Sequence, residues 1–293
     1  MRKARRTRTV VAAVIVSVAT AIPPIGTAWA RAPVIVAAGD IACGDQPCRN
    51  QRRTTALIGW LRPRAVLTLG DNQYPDGALS DYRSSYHPTW GRFRGKTFPT
   101  PGNHEYHTPG ARGYFDYFGS RARRGSGGWY SFDLGRWHLL SINTGGGAPS
   151  EHRLRWVRRN LARDGSRCEL AYWHHPRFSS GRDHGSDSRM RELWEVLYRA
   201  GVDVVLNGHE HNYERFALLD PSGHPARRGI REFVVGTGGA NLYSLGTPIR
   251  GSQRRIDDRY GVLSMSLHRS GYEWRFVAVG RTTLDKGRQR CHS

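Results

Sequence analysis

The chain has 293 residues, of which 38% are hydrophobic and 24% charged, and its 45 Lys and Arg against 24 Asp and Glu give a formal net charge of +21. With no internal repeat and no low-complexity tract, that is ample chain to bury a core. The basic residues are almost all scattered arginines, and blocks such as Arg121-Ala122-Arg123-Arg124 and Arg158-Arg159 are too short for nucleic-acid tails, so specific nucleic-acid binding is set aside.

The first thirty residues read as a secretory signal peptide. Arg2, Lys3, Arg5, Arg6 and Arg8 make a basic start, residues 10–22 an apolar stretch, and Ala28-Trp29-Ala30 a small-x-small cleavage site. The apolar stretch is too short to span a bilayer and runs into Pro23-Pro24, so no transmembrane anchor is expected after cleavage. Arg5-Arg6 leaves a twin-arginine route open. A secreted or extracytoplasmic chain of residues 31–293, folded as one domain, is the expectation. The leader carries five of the positive charges and no acidic residue, which leaves +16, a field that draws in phosphorylated, anionic substrates.

In chain order, residues 33–38 read as an apolar strand, 54–61 as a helix, 65–69 as a second strand and 97–101 as a short third. Residues 129–134 and 137–142 alternate around Gly135-Arg136, a hairpin pattern. Ser150 is placed to N-cap a helix whose Leu154, Val157 and Leu161 share one face. A strand at 170–173, a helix at 189–199 closed by Gly201, and a β-branched strand at 202–206 follow. The end is β only, with strands at 233–236, 262–268 and 272–279. This is a mixed α/β chain with two sheets. Four cysteines in an exported chain favour disulfides. Cys43 with Cys48 would close a tight loop and leave Cys168 with Cys291 to hold the C-terminus.

Polar groups follow strand after strand. Asp40 comes after the first, Asp71 after the second, Asn103-His104 after the third, His174 after the fourth and His209-Glu210-His211 after the fifth. Ligands bind at the carboxyl edge of α/β sheets, and these loops converge if their strands lie in one sheet. Carboxylate, amide, phenol and imidazole donors together suit a pair of first-row metals, with Asp71 placed to bridge them. The glycines at Gly39, Gly70, Gly102 and Gly208 are expected to let each loop turn sharply.

The segments Gly39-Asp40, Gly70-Asp71-Asn72-Gln73-Tyr74, Gly102-Asn103-His104-Glu105, His174-His175-Pro176 and Gly208-His209-Glu210-His211 resemble the ordered five-motif signature of the calcineurin-like metallophosphoesterases. Many branches of that superfamily place a His two residues after the first Asp, where this chain has Ala42; Tyr74, in GDxxY, instead resembles the purple acid phosphatase branch. Ala171 replaces the Val usual three residues before the fourth-motif His.

The resemblance implies an α/β/β/α sandwich of two mixed sheets with flanking helices. It implies a metal site of Asp40, Asp71, Tyr74 and His211 holding Fe(III), and a second of Asp71, Asn103, His174 and His209 holding Fe(II), Zn or Mn. The implied activity is hydrolysis of small phosphate monoesters by a hydroxide activated between the metals. His104 would donate to the phosphate, and His184, ten positions past His174, would bind phosphate and protonate the leaving group. The rival activities are phosphodiester or nucleotide hydrolysis on the same fold and, in a different class, metal-stabilised binding of polyanions without turnover.

The remaining side chains are expected in supporting places. His87, His107, His138, His152 and His175 read as surface or supporting groups, and Glu105 and Glu210 as supports of the motif loops. Of Tyr172 and Trp173, one should face away from the site. Tyr106 and Arg215 are candidates to shape the pocket, Arg215 either as a phosphate clamp or in a plain salt bridge.

Overall fold

The computed structural model describes residues 32–43, 50–124, 126–145, 147–163, 165 and 168–292. In chain order its elements begin with β1 (Val34–Ala38), β2 (Ala42–Cys43), α1 (Asn50–Leu61), β3 (Ala65–Leu69), β4 (Gln73–Tyr74), the short α2 (Leu79–Asp81), β5 (Thr97–Thr100) and α3 (Arg112–Phe118). The hairpin β6 (Tyr130–Leu134) and β7 (Trp137–Ser141) follows, then α4 (Glu151–Arg163), β8 (Cys168–Tyr172), α5 (Arg191–Ala200) and β9 (Val204–Asn207). The chain closes with β10 (Tyr213–Leu219), β11 (Ile230–Val235), β12 (Ser252–Ile256), β13 (Gly261–His268), β14 (Gly271–Ala278) and β15 (Thr282–Arg290).

Six strands form one sheet in the order β15-β14-β13-β1-β3-β5, and seven form another in the order β12-β10-β11-β9-β8-β7-β6. Both are mixed: β1 runs parallel to β3 and antiparallel to β13, while β7, β8 and β9 are parallel and β6 is antiparallel to β7. Side chains alternate across each strand, so Leu139, Leu170, Tyr172 and Leu206 share a core with Val36, Leu67 and Met265 of the other sheet. Leu140, Ala171, Trp173 and Val205 face the other way, where Leu154 and Val157 of α4 and Leu193 and Trp194 of α5 cover them. Tyr172 and Trp173 thus divide between the two cores, as expected. Each such aliphatic side chain, fully buried, contributes roughly 1.5–3 kcal/mol over leaving it in water.

The expected helix signals act as capping chemistry requires. Ser150 Oγ accepts from Arg153 N at 3.4 Å at the start of α4. Gly201, at φ 85°, ends α5 by donating to the carbonyls of Leu197 and Tyr198. The expected two-sheet sandwich with flanking helices is the fold observed.

Five strands were not expected: the two-residue β2 and β4, and the longer β10, β12 and β15. β12 and β15 are edge strands, and Arg254, Arg255, Lys286, Arg288 and Arg290 give them a polar pattern of the kind that protects a sheet edge from further pairing. β10 is internal, but Glu214 breaks its apolar pattern while lying fully buried. That carboxylate accepts from Ser180 N at 2.7 Å, Ser180 Oγ at 2.5 Å and Ser252 Oγ at 2.6 Å. Likewise the strand expected at 233–236 starts earlier, at Ile230, because Arg231 and Glu232 are buried within it.

Cys168 and Cys291 are joined, 123 positions apart, so the C-terminal end is fastened to β8 as expected. In the chain-entropy description a loop that long, closed in the unfolded state, stabilises the fold by about 4–5 kcal/mol. Cys43 is also disulfide-bonded, and its expected partner Cys48 lies outside the described residues. Beside the Cys168 bond, buried Asp203 accepts from Glu169 N at 3.0 Å and His292 N at 2.6 Å.

Burial pushes the Asp203 carboxyl up to about 6, above its unfolded value of about 3.9. Its contribution is therefore fully present below that unfolded value and is lost as pH rises through about 6. Between pH 4.5 and 7.5 the wild type is expected to lose roughly 2 kcal/mol more stability than Asp203→Asn. Denaturant melts of both proteins at the two pH values check this, and parallel pH profiles would refute it.

Candidate functional site

The five motif loops do meet, although their strands are divided between the two sheets and do not share one. Asp40, Asp71 and Asn103 follow β1, β3 and β5 of the six-stranded sheet, whereas His174, His209 and His211 follow β8 and β9 of the seven-stranded one. The candidate site therefore lies where the carboxyl ends of two sheets come together. Backbone bonds lace the first two loops, with Asp40 N donating to Gly70 O at 3.1 Å and Ile41 N to Asp71 O at 3.0 Å.

The sharp turns fall on different residues than expected. Gly70 has a positive φ of 87° and is followed by Asp71 at 44°, while at the first and last loops it is Asp40 (59°) and His209 (72°) that adopt left-handed backbone. Such conformations cost non-glycine residues about 1 kcal/mol or more each and concentrate at functional sites. Gly208 is needed for space, since a Cβ there would lie 2.6 Å from Asp40 Oδ2, and one on Gly102 would collide with the Asp71 carboxylate.

Tyr74 stands at the centre of one half. Its hydroxyl lies 2.9 Å from Asp40 Oδ1, 3.1 Å from Asp71 Oδ2 and 2.9 Å from His211 Nε2. His211 Nδ1 faces Asn241 O at 2.5 Å, which turns Nε2 towards Asp40 Oδ1 at 3.3 Å. In the other half His174 Nδ1 faces Leu69 O at 2.8 Å, leaving Nε2 3.2 Å from Asp71 Oδ2 and 3.2 Å from His209 Nδ1. Asp71 Oδ2 thus faces both halves. Carbonyl acceptors at the far nitrogens fix the imidazole tautomers in the way metal-binding histidines require.

Electrostatics bind this cluster tightly. Burial alone would lower His174, but the Asp71 and Asp40 carboxylates overcome it and raise it to about 9. Burial would raise Asp71, yet His174 and His104 hold it well below the usual carboxylate range. His209 is pushed down by burial and by His174, His175 and His184, and the Tyr74 phenol is pushed well up by burial, Asp40 and Asp71.

A donor set of this kind fits two cations. Asp40, Asp71 and His174 offer ligand atoms within 4.8 Å of one another, as do His174, His175 and His209. Asn103 Oδ1 is buried with no hydrogen-bond partner, an orphaned acceptor that a cation would satisfy.

Both proposed substrate histidines border the cluster. His104 N donates to Asp71 Oδ1 at 2.9 Å, its Nδ1 faces Pro75 O at 2.5 Å, and Nε2 lies 3.9 Å from Asp71 Oδ2. The His184 ring stacks on His209 at 4.1 Å and 22°. Its backbone is pinned by Glu210 Oε1, which accepts from His184 N at 2.7 Å and from Gly185 N. Glu105 has the same office on the opposite side, accepting from Asn72 N at 2.8 Å, Gly102 N at 2.7 Å and Tyr82 Oη at 2.9 Å.

Other readings change. Arg215 pairs with Asp285 at 2.7 Å and lies over Trp274, so the salt bridge is its role and the phosphate-clamp reading lapses. Of the surface and supporting alternatives, His175 takes the second, buried with its ring 4.4 Å from that of His209, and burial with His174 lowers it to about 3. His138 is also buried, between Asp133 at 2.6 Å and Asn160 at 2.7 Å. Tyr106 accepts from Asn143 Nδ2 at 2.7 Å. Sequence reasoning missed the loop at Asn241 and Tyr243, whose signal was Gly236-Thr237-Gly238-Gly239 after an apolar strand, the pattern that marks the other loops.

The model describing calcineurin-like phosphoesterases matches residues 33–213. Purple acid phosphatase 15 of Arabidopsis thaliana is 30% identical over 207 residues, covering 55% of this chain and 38% of that protein. Acid phosphatase type 7 of Homo sapiens is 28% identical over 141 residues, covering 39% and 31%. The matched stretch spans less than half of either relative's own length. Among solved structures, a purple acid phosphatase from yellow lupin seeds superimposes with a TM-score of 0.70 at 17% identity, over 88% of this chain and 53% of that one. The inner-membrane-complex anchor GAP50 of Plasmodium gives 0.70 at 15% identity over 90% of both; these two likenesses speak to the fold alone. With motifs, two-sheet fold and family match in agreement, the chain belongs to the calcineurin-like phosphoesterases and resembles their purple acid phosphatase branch.

Proposed function

We propose that this chain is an exported dinuclear-metal phosphatase acting on small phosphate monoesters, with residues 31–293 as its catalytic domain and residues 1–30, outside the described residues, as a removed leader. The observation that carries the reading is the pair of donor groups sharing Asp71, with Asn103 Oδ1 left buried and unpaired. Asp40, Asp71, Tyr74 and His211 would hold one cation, and Asp71, Asn103, His174 and His209 the other. A phenolate favours iron(III) in the first half; iron(II), zinc or manganese suits the second. Two cations held there would polarise the phosphoryl oxygens and lower the pKa of a bound water.

The protein's own residues supply the rest. His104 Nδ1 is held by Pro75 O, so Nε2 is free to donate to a phosphoryl oxygen when the ring is an imidazolium. His184, whose backbone Glu210 holds and whose ring stacks on His209, would protonate the departing alcohol. The surplus of positive charge favours encounter with phosphorylated substrates. Export accords with the Cys168–Cys291 bond, and among the described residues no helix is long and apolar enough to cross a membrane.

The test is the ratio of aryl phosphomonoester to bis-aryl phosphodiester hydrolysis by residues 31–293, with Asp71→Ala as control. A monoester preference lost in the variant supports the proposal. Diester preference would move the chain to the rival activity, and salt-sensitive polyanion binding with no turnover of either ester would favour the binding-protein reading.

A further inference from the structure

Between the two histidines that follow β9 and open solvent stands a rim made of two loops zipped together. Arg182 N donates to Ser244 O at 3.2 Å, Gly246 N to Ser180 O at 2.7 Å, and Gly181 pairs with Leu245 as an isolated bridge. One loop carries His184 over His209; the other carries Tyr243 over His211. The Tyr243 ring lies parallel to His211, with centroids 3.8 Å apart and 7° between planes, and edge-on to His184 at 5.8 Å. Its backbone N–H donates to His211 O at 3.0 Å, and Asn241 O two residues earlier faces His211 Nδ1 at 2.5 Å.

Loop 241–243 therefore grips His211 by backbone and ring together. That leaves the phenol itself unexplained, because among the described residues the Tyr243 hydroxyl has no hydrogen-bond partner, while the ring is half-buried. A phenol whose ring and backbone are held against His211, with its hydroxyl free of partners among the described residues at the mouth of the candidate site, can donate to an incoming acceptor.

We propose that Tyr243 is a substrate-binding residue, its hydroxyl donating to a phosphoryl oxygen of the bound ester and of the product phosphate while its ring holds His211 in place. The proposal rests on the metallophosphatase reading. A hydrogen bond to a charged acceptor is among the stronger ones, so Tyr243→Phe is expected to weaken phosphate binding about tenfold. The phenylalanine ring preserves the stack on His211.

Inorganic phosphate is titrated into the wild-type holoprotein and Tyr243→Phe, with the dissociation constant read by calorimetry and metal content measured in parallel. The proposal expects unchanged metal content, a dissociation constant raised about tenfold, and a KM for an aryl phosphomonoester raised more than kcat is lowered. A phosphate affinity within about twofold of wild type, with metals intact, would overturn the role of the hydroxyl. Loss of metal from Tyr243→Phe would overturn it in favour of a purely structural role. A wild-type protein that holds no metal and binds no phosphate would instead sink the metallophosphatase reading, and this proposal with it.

Discussion

Asp71→Ala is expected to lower turnover of an aryl phosphomonoester by about three orders of magnitude or more, equivalent to roughly 4 kcal/mol of transition-state stabilisation. Asp71 Oδ2 stands 3.1 Å from the Tyr74 hydroxyl and 3.2 Å from His174 Nε2, so its removal strips an anionic donor from both halves at once. The loss should be catalytic before it is structural. Within the protein, the other Asp71 oxygen accepts from His104 N at 2.9 Å, a bond whose loss costs about 1–3 kcal/mol. Asp71→Asn keeps an acceptor for that N–H but not the charge, and is expected to melt closer to wild type while remaining as inactive as the alanine variant. Turnover and thermal melts of the three proteins check this, and an asparagine variant within about tenfold of wild-type kcat would contradict the bridging role.

Tyr74→Phe is expected to abolish the visible absorption of the iron-loaded protein, with a smaller fall in turnover than Asp71→Ala produces. The substitution removes a single oxygen, the one within 2.9–3.1 Å of Asp40, Asp71 and His211. A phenolate bound to iron(III) absorbs visible light through ligand-to-metal charge transfer, whereas the remaining carboxylate and imidazole donors do not give that band. Asp40 and His211 stay within 3.3 Å of each other, so the half-site retains two donors and a share of its cation affinity. Absorption spectra and iron analysis of both proteins decide it. A band that survives in Tyr74→Phe would place the chromophore elsewhere, and a colourless wild type that is fully active without iron would overturn the assignment to the purple branch.

The loops were far more legible in the sequence than the edges of the sheets. Asp40, Asp71, His174 and His211 each follow a short apolar strand, and that juxtaposition survives in the structure because the strand ends are where side chains can converge without disturbing a core. What stayed open was which of the two expected sheets each motif strand joins. Local patterning cannot show that β5 is met in space by strands of a different sheet, since that meeting is set by contacts between residues distant in sequence, such as Tyr130 Oη donating to Pro99 O at 2.8 Å and Tyr172 Oη to Phe98 O at 3.1 Å. β10 and β11 were blurred because Glu214 and Glu232 are buried carboxyls that accept from backbone N–H groups of residues 177–180, which no alternation rule anticipates. Tyr243 was missed for a related reason: the glycine run at Gly236-Thr237-Gly238-Gly239 marks a loop, but the place of Tyr243 over His211 comes from the path that loop takes between strands.

Glycine shows the same limit on a smaller scale. Sequence reading asked Gly39, Gly102 and Gly208 for unusual backbone angles, but at the first and last of these the angle belongs to the following Asp40 and His209. At Gly102 and Gly208 glycine serves because the carboxylates of Asp71 and Asp40 occupy the space a Cβ would need. Only the assembled structure distinguishes these two reasons for a glycine.

The most direct test of the account is elemental analysis of the purified chain, wild type and Asn103→Ala, together with phosphomonoester turnover. The account predicts two first-row metal ions per wild-type chain with iron among them, and in Asn103→Ala a loss confined to the half that includes His174 and His209, with activity falling in step. Full activity in a wild-type chain that carries one metal or none would contradict it.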